Sequence, residues 1–165
     1  KTLPRTRLHI GLDQAYENNQ KVHFLSAYQQ AAGLPVTREY PRLYLSKVED
    51  DFRPKEAGTG KYVVFHLESF ATQDFRKIYG VEWGKIVSSL SARAFTVIQI
   101  GKDPAPIPGA VIVKGDIRDM IALIRGATFF VGLDSGPSHI ASALGVPALI
   151  FLGRSTPISG ILETC

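Results

Sequence analysis

The chain has 165 residues, 45% of them apolar and 21% charged, a balance that suits a soluble globular protein with one ordinary core and at most a partial second unit. No apolar run approaches the roughly 20 residues that span a bilayer. The net charge of +4 is spread without a basic stripe or aromatic platform, which argues against a nucleic-acid partner, and the single cysteine, Cys165, has no mate for a disulfide or a thiolate zinc site.

The lone cysteine leads us to expect a reducing cytoplasm, and the first residues, Lys1 to Arg7, carry neither an initiator methionine nor the apolar stretch of a secretory signal, so the chain is expected to begin inside a longer product. Residues 1–57 offer one short strand candidate near Leu8-His9-Ile10, one helix candidate from Val22 to Ala32, and little else to bury. The polar, turn-prone stretch Glu49 to Gly60 reads as a linker. Beyond it, short β-rich runs alternate with helical patterns, the mark of a parallel sheet with crossover helices. Strands are expected at Tyr62–Leu67, Phe95–Ile100, Ala110–Val113, Thr128–Leu133 and Ala148–Leu152. Helices are expected at Val81–Leu90, at Ile117–Arg125 with Ile117, Ile121 and Ile124 on one face, and at Pro137–Leu144. The fold class is α/β, a Rossmann-like parallel sheet with helices on both faces.

Ligands of open parallel sheets bind beyond the carboxyl ends of the strands, where loops enter helices. Residues 134–139 occupy such a place. Asp134 ends the most apolar strand, Ser135 suits an N-cap, Gly136 permits close backbone approach, and Pro137 suits a first helical turn. Free N–H groups and the helix dipole would seat a diphosphate there, with His139 adding a further hydrogen bond. The plainer reading is a capped helix with an interior histidine. Gly58-Thr59-Gly60-Lys61 is not a phosphate loop, because it precedes its strand and is followed by Tyr62 in place of a magnesium-binding hydroxyl. No Gly-x-Gly-x-x-Gly follows the first strand, and Ser135 falls one position late for a hydrolase nucleophile elbow.

The run from Phe130 to Gly153, with Asp134-Ser135-Gly136-Pro137-Ser138-His139 at its heart, resembles the donor-site signature of the heptosyltransferase-like glycosyltransferases, family nine. The resemblance implies a GT-B enzyme, with 1–57 the tail of the acceptor domain and linker and 58–165 the nucleotide-sugar donor domain. Asp134, Gly136 and His139 would hold the diphosphate and sugar of an ADP-heptose-type donor, with Ser135 and Ser138 beside them. Lys77, before Ile78-Tyr79, matches the family's phosphate-neutralising lysine with spacing about one residue short, and Asp103 in Gly101-Lys102-Asp103 could meet the ribose. The implied reaction is inverting transfer, without metal or other cofactor, from a nucleotide diphosphate sugar, ADP-sugar favoured, to a lipopolysaccharide-like, glycan or lipid-linked acceptor. Peripheral contact with the inner membrane would accompany such an acceptor. The general base is expected upstream of Lys1. A GT-B nucleotide-sugar epimerase and a non-catalytic nucleotide-binding module are the alternatives.

Overall fold

In a computed structural model of the chain, the described residues are 12, 14–15, 18–19, 21–37, 42–68 and 78–152. The strand candidate at Leu8-His9-Ile10 lies outside them. Described residues up to 37 belong to one compact unit and those from 42 onward to another. The first unit contains helix α1, Phe24–Ala31, whose N-cap His23 accepts the Leu25 N–H through Nδ1 at 3.2 Å.

The second unit is built on five strands, β1 (Lys61–His66), β2 (Phe95–Gln99), β3 (Val111–Ile112), β4 (Phe129–Leu133) and β5 (Ala148–Phe151). They form one parallel sheet in the order β3-β2-β1-β4-β5. Alternate residues of β1 serve opposite layers, as the two-residue period of a strand requires. Tyr62 and Val64 join Ile98, Phe130, Leu123, Ile124 and Ala141 on one face. Val63 and Phe65 join Val97, Val131, Val87 and Ile107 on the other. Helix α3 (Trp83–Ser91) therefore covers one face, while α4 (Ile117–Arg125) and α5 (Gly136–Ala143) cover the other. This is the doubly covered α/β sheet expected from the sequence. Within α4, Ile121 and Ile124 are buried as expected, whereas Ile117, in the first turn, remains 62% exposed.

Asp116 opens α4 by accepting the N–H groups of Arg118 and Asp119 at 2.7 and 2.9 Å, and Asp119 returns a bond to the Asp116 N–H at 3.0 Å. That reciprocal box satisfies donors that a helix start otherwise leaves open.

The polar stretch read as a linker is anchored to this sheet domain. A short helix, α2 (Lys47–Asp50), runs into its start, and a single 3₁₀ turn lies within it at Lys55–Ala57. Arg118 grips Glu49 with two parallel bonds of 2.6 and 2.7 Å, and Arg125, two helical turns later, donates to Asp50 at 2.8 Å. Arg118 also donates to Tyr44 O at 3.1 Å. Phe52 and Ala57 pack into the Tyr62 face of the core, and the buried Tyr62 hydroxyl donates to Leu123 O at 2.8 Å.

Two predictions arise from these contacts. Tyr62→Phe removes a buried hydrogen bond and should lower unfolding free energy by about 1 kcal/mol, as read from urea titration. Glu49 is held down to about 2 from 4.5, first by the Arg118 hydrogen bond and then by its bonds with Ser46. A depressed carboxyl pKa contributes stability that is complete above about pH 4.5 and fades as pH falls toward 2. Glu49→Gln should therefore lower Tm at neutral pH and flatten its decline in that acidic window, as melting curves at stepped pH will show.

Candidate functional site

Strand order places the point where the chain reverses its progress across the sheet between β1 and β4. From β1 the chain moves outward to β2 and β3, then returns to the other side for β4 and β5. At such a point neighbouring crossovers depart on opposite faces and leave a crevice at the carboxyl edge. The strands finish level there, with Phe65 opposite Gln99 and His66 opposite Gly132.

β4 enters this crevice with Leu133, turns through Asp134 and Ser135, and becomes α5 at Gly136. Ser135 is the N-cap residue, with extended backbone (φ −162°, ψ 171°), and Pro137 stands in the first turn. The Ser138 hydroxyl donates to Ser135 O at 2.7 Å and accepts the Ser135 N–H at 3.1 Å. Ser138 is 3% exposed and serves to close the turn. The N–H groups of Ser138 and His139 also return to Ser135 O, at 3.0 and 3.3 Å. The row of free donors expected along this turn is thus shortened, because Pro137 has no N–H and its two successors are engaged. Gly136 remains open: a methyl group added there would meet no heavy atom of the described residues within 4 Å.

The Ser135 hydroxyl turns back toward the sheet, 3.1 Å from His66 Nδ1 and 3.2 Å from Leu133 O. His66, the last residue of β1, thereby ties the two strands at the switch point. Burial pushes its pKa below the ordinary histidine value of 6.5, so it is neutral at pH 7. With the hydroxyl proton directed to Leu133 O, Nδ1 carries the ring proton and donates to Ser135; directed to Nδ1, it leaves the ring proton on Nε2.

Asp134 and His139 face each other across the first turn, with Oδ1 3.8 Å from Nε2 and the His139 side chain about half exposed. The Asp134 N–H donates to Phe151 O at 3.3 Å, which fixes the loop to β5. Asp103 stands beyond β2 on the same edge, exposed and 3.4 Å from Lys114 Nζ. Lys77 lies outside the described residues. Asp134, Ser135, Gly136, Ser138 and His139 are therefore brought together on one turn, with Asp103 across the edge from them.

His66, Glu68 and Gln99 were not singled out from the sequence, although each is a polar residue at the end of an apolar strand run. That position was the available signal. Among the described residues, no group of three or more His, Cys, Asp or Glu is arranged to hold a metal, and no helix is long and apolar enough to cross a membrane.

Residues 11–159 match the model of glycosyltransferase family 9 (heptosyltransferase). The chain belongs to this family. Lipopolysaccharide heptosyltransferase 3 of Escherichia coli is 27% identical over 139 residues, 74% of this chain and 40% of the relative. The autotransporter heptosyltransferase TibC of E. coli O78:H11 is 28% identical over 171 residues, 94% of this chain and 39% of its own length. Among solved structures, the iron-containing dodecameric glycosyltransferase TibC from enterotoxigenic E. coli superposes with a TM-score of 0.68 at 24% identity, covering 85% of this chain and 38% of the other. The E. coli heptosyltransferase WaaC with ADP-2-deoxy-2-fluoro heptose superposes with a TM-score of 0.60 at 18% identity, covering 93% and 50%. The fold is thus that of GT-B heptosyltransferases, and this family 9 chain spans about two fifths of the length of these two curated relatives.

For this family member, the partly buried, neutral His66 sets a pH dependence of opposite origin to that of Glu49. Its lowered folded pKa means that unfolding takes up a proton below about pH 6.5, so stability is unaffected above that value and falls beneath it. The His66 ring should titrate below 6.5 by NMR, and His66→Gln should flatten Tm between about pH 7 and 5. A ring midpoint at or above 6.5 would contradict the assignment.

Proposed function

We propose that this chain provides the donor-binding half of an inverting glycosyltransferase that moves heptose or a similar sugar from an ADP-sugar to a lipopolysaccharide-like or other glycan acceptor. The carrying observation is the Asp134-to-His139 turn, which presents an open Gly136 at the start of α5 in the switch-point crevice. Family membership supplies the reaction class, and a heptosyltransferase of the same fold is known with ADP-D-β-D-heptose bound.

In this reading the diphosphate approaches the Gly136 N–H and the positive end of α5, where an anion gains from both the hydrogen bond and the dipole. His139, beside the Asp134 carboxylate, donates to a phosphate oxygen when protonated. Asp134 accepts from a sugar hydroxyl. As the bond to the sugar breaks, charge gathers on the departing diphosphate, and donors already in place stabilise that charge without reorganising. A carboxylate of the acceptor domain, upstream of Lys1, removes the proton from the attacking hydroxyl. A glycan or lipid-linked acceptor would bring the enzyme to the cytoplasmic face of the inner membrane as a peripheral protein. The scheme assigns no step to a metal.

Calorimetry with ADP-heptose and ADP tests this reading. Asp134→Ala should weaken ADP-heptose about tenfold, the effect of losing a charge-assisted hydrogen bond, while changing folding stability by only about 0.3–1 kcal/mol. Amide shifts on adding ADP should be largest at Ser135, Gly136 and Ser138. Equal ADP-heptose affinity in mutant and wild type, or shifts confined to other regions, would remove this turn from the donor site.

A further inference from the structure

The segment after β2 reads Pro104-Ala105-Pro106-Ile107-Pro108. Proline has no N–H, so this arch has only two backbone donors, at Ala105 and Ile107. Both end on side chains at the carboxyl edge of the sheet. The Ala105 N–H donates to Glu68 Oε1 at 2.9 Å, and the Ile107 N–H donates to Gln99 Oε1 at 3.2 Å. Gln99 Nε2 in turn donates to Ala105 O at 2.9 Å. Ala105 is therefore held through its N–H from the exit of β1 and through its C=O from the end of β2. The second Glu68 oxygen points at the start of the loop, where a Cβ on Gly101 would come within 3.1 Å of it.

Gln99 is 2% exposed, and its bonds are what allow an amide to be buried there. Glu68 has no such obligation. It lies past the last residue of β1 and contributes nothing to strand pairing, yet it spends an acceptor on a loop of the ligand-binding edge. From β4 across β1 to β2 is two strand spacings, about 10 Å, a distance that a nucleoside diphosphate can bridge from its phosphates to its nucleoside. In open parallel sheets the ribose meets the loop of a neighbouring strand, often through a carboxylate. Asp103 stands at the leading end of the arch, two residues before Ala105.

We propose that Glu68 is a positioning residue that locks the proline arch 104–108 to the end of β1 and so presets the nucleoside side of the donor cleft. The inference rests on the donor-site reading of residues 134–139. Glu68 touches no ligand in this scheme; it fixes where the Gly101-to-Ala105 loop stands, so the nucleoside does not have to order that loop on binding.

The test titrates ADP and inorganic pyrophosphate separately into wild type, Glu68→Ala and Glu68→Gln, with amide exchange at Ala105 followed in each. Wild type should bind both ligands. Glu68→Ala should raise the Kd for ADP about tenfold, as loss of a charge-assisted bond would, while leaving that for pyrophosphate within about twofold. Exchange at Ala105 should quicken in the alanine variant. Glu68→Gln keeps an acceptor oxygen and should recover most of the ADP affinity and the protection. Should Glu68→Ala fail to fold, Glu68→Ser supplies the same comparison. Unchanged ADP affinity, or equal losses for ADP and pyrophosphate, would overturn the inference while the donor site stands. A wild type that binds neither ligand would overturn the donor-site reading and this inference with it.

Discussion

The register of β1 against its two neighbours is the constraint on which the site depends. Phe65 lies opposite Gln99 on one side and His66 opposite Gly132 on the other, so three strands finish level and deliver three loops to one edge. A slip of one residue would move His66 by about 3.3 Å along the strand and send every β1 side chain to the opposite face. Tyr62 and Val64 would then face α3, while Val63 and Phe65 would face α4 and α5. Because both faces of β1 are buried, the two cores resist that slip, and the hydrogen bond between Ser135 and His66 inherits its precision from them.

The same register explains the electrostatic character of the crevice. At the end of β1, the partly buried His66 is kept neutral by desolvation, and its neighbour Ser135 is uncharged. Carboxylates and a lysine lie further out, Asp134 beside the His139 ring and Asp103 beside Lys114. Among the described residues, a group approaching Gly136 therefore meets the uncharged His66 and Ser135 and the positive end of a helix, with charged side chains further out.

Much of this was legible in the sequence because the sheet is parallel and covered on both faces. Runs such as Thr128-Phe129-Phe130-Val131-Gly132-Leu133 have no polar alternation to confuse the reading, and the observed strand, Phe129–Leu133, differs by one residue. The α4 bounds agreed at Ile117 and Arg125, where Asp116 and Gly126 mark the ends. Residues 42–57 were harder. Their anchorage is two ion pairs reaching from α2 to Arg118 and Arg125, the Arg118 bond to Tyr44 O, and the packing of Phe52 and Ala57. None of these leaves a periodic trace in a stretch that locally reads as polar turn. The tasks of His66 and Ser138 were hidden for a related reason: each is defined by a partner's atom, and the Ser135 hydroxyl could as well have faced the helix as the sheet.

The proline arch shows how one edge meets two demands. β3 is only two residues long, and an edge strand with open donors invites pairing with other chains. Prolines at 104, 106 and 108 deny the preceding segment the donors needed to extend the ladder. The remaining donors, at Ala105 and Ile107, would be costly to leave unmet beside a core to which Ile107 itself belongs. Meeting them with acceptor oxygens of Glu68 and Gln99 satisfies the backbone without adding a strand, and it also ties the loop to the edge where β1 ends. A longer β3 would have given the same hydrogen-bond satisfaction, but it would have carried the chain away from the crevice. The arch keeps the loop beside it.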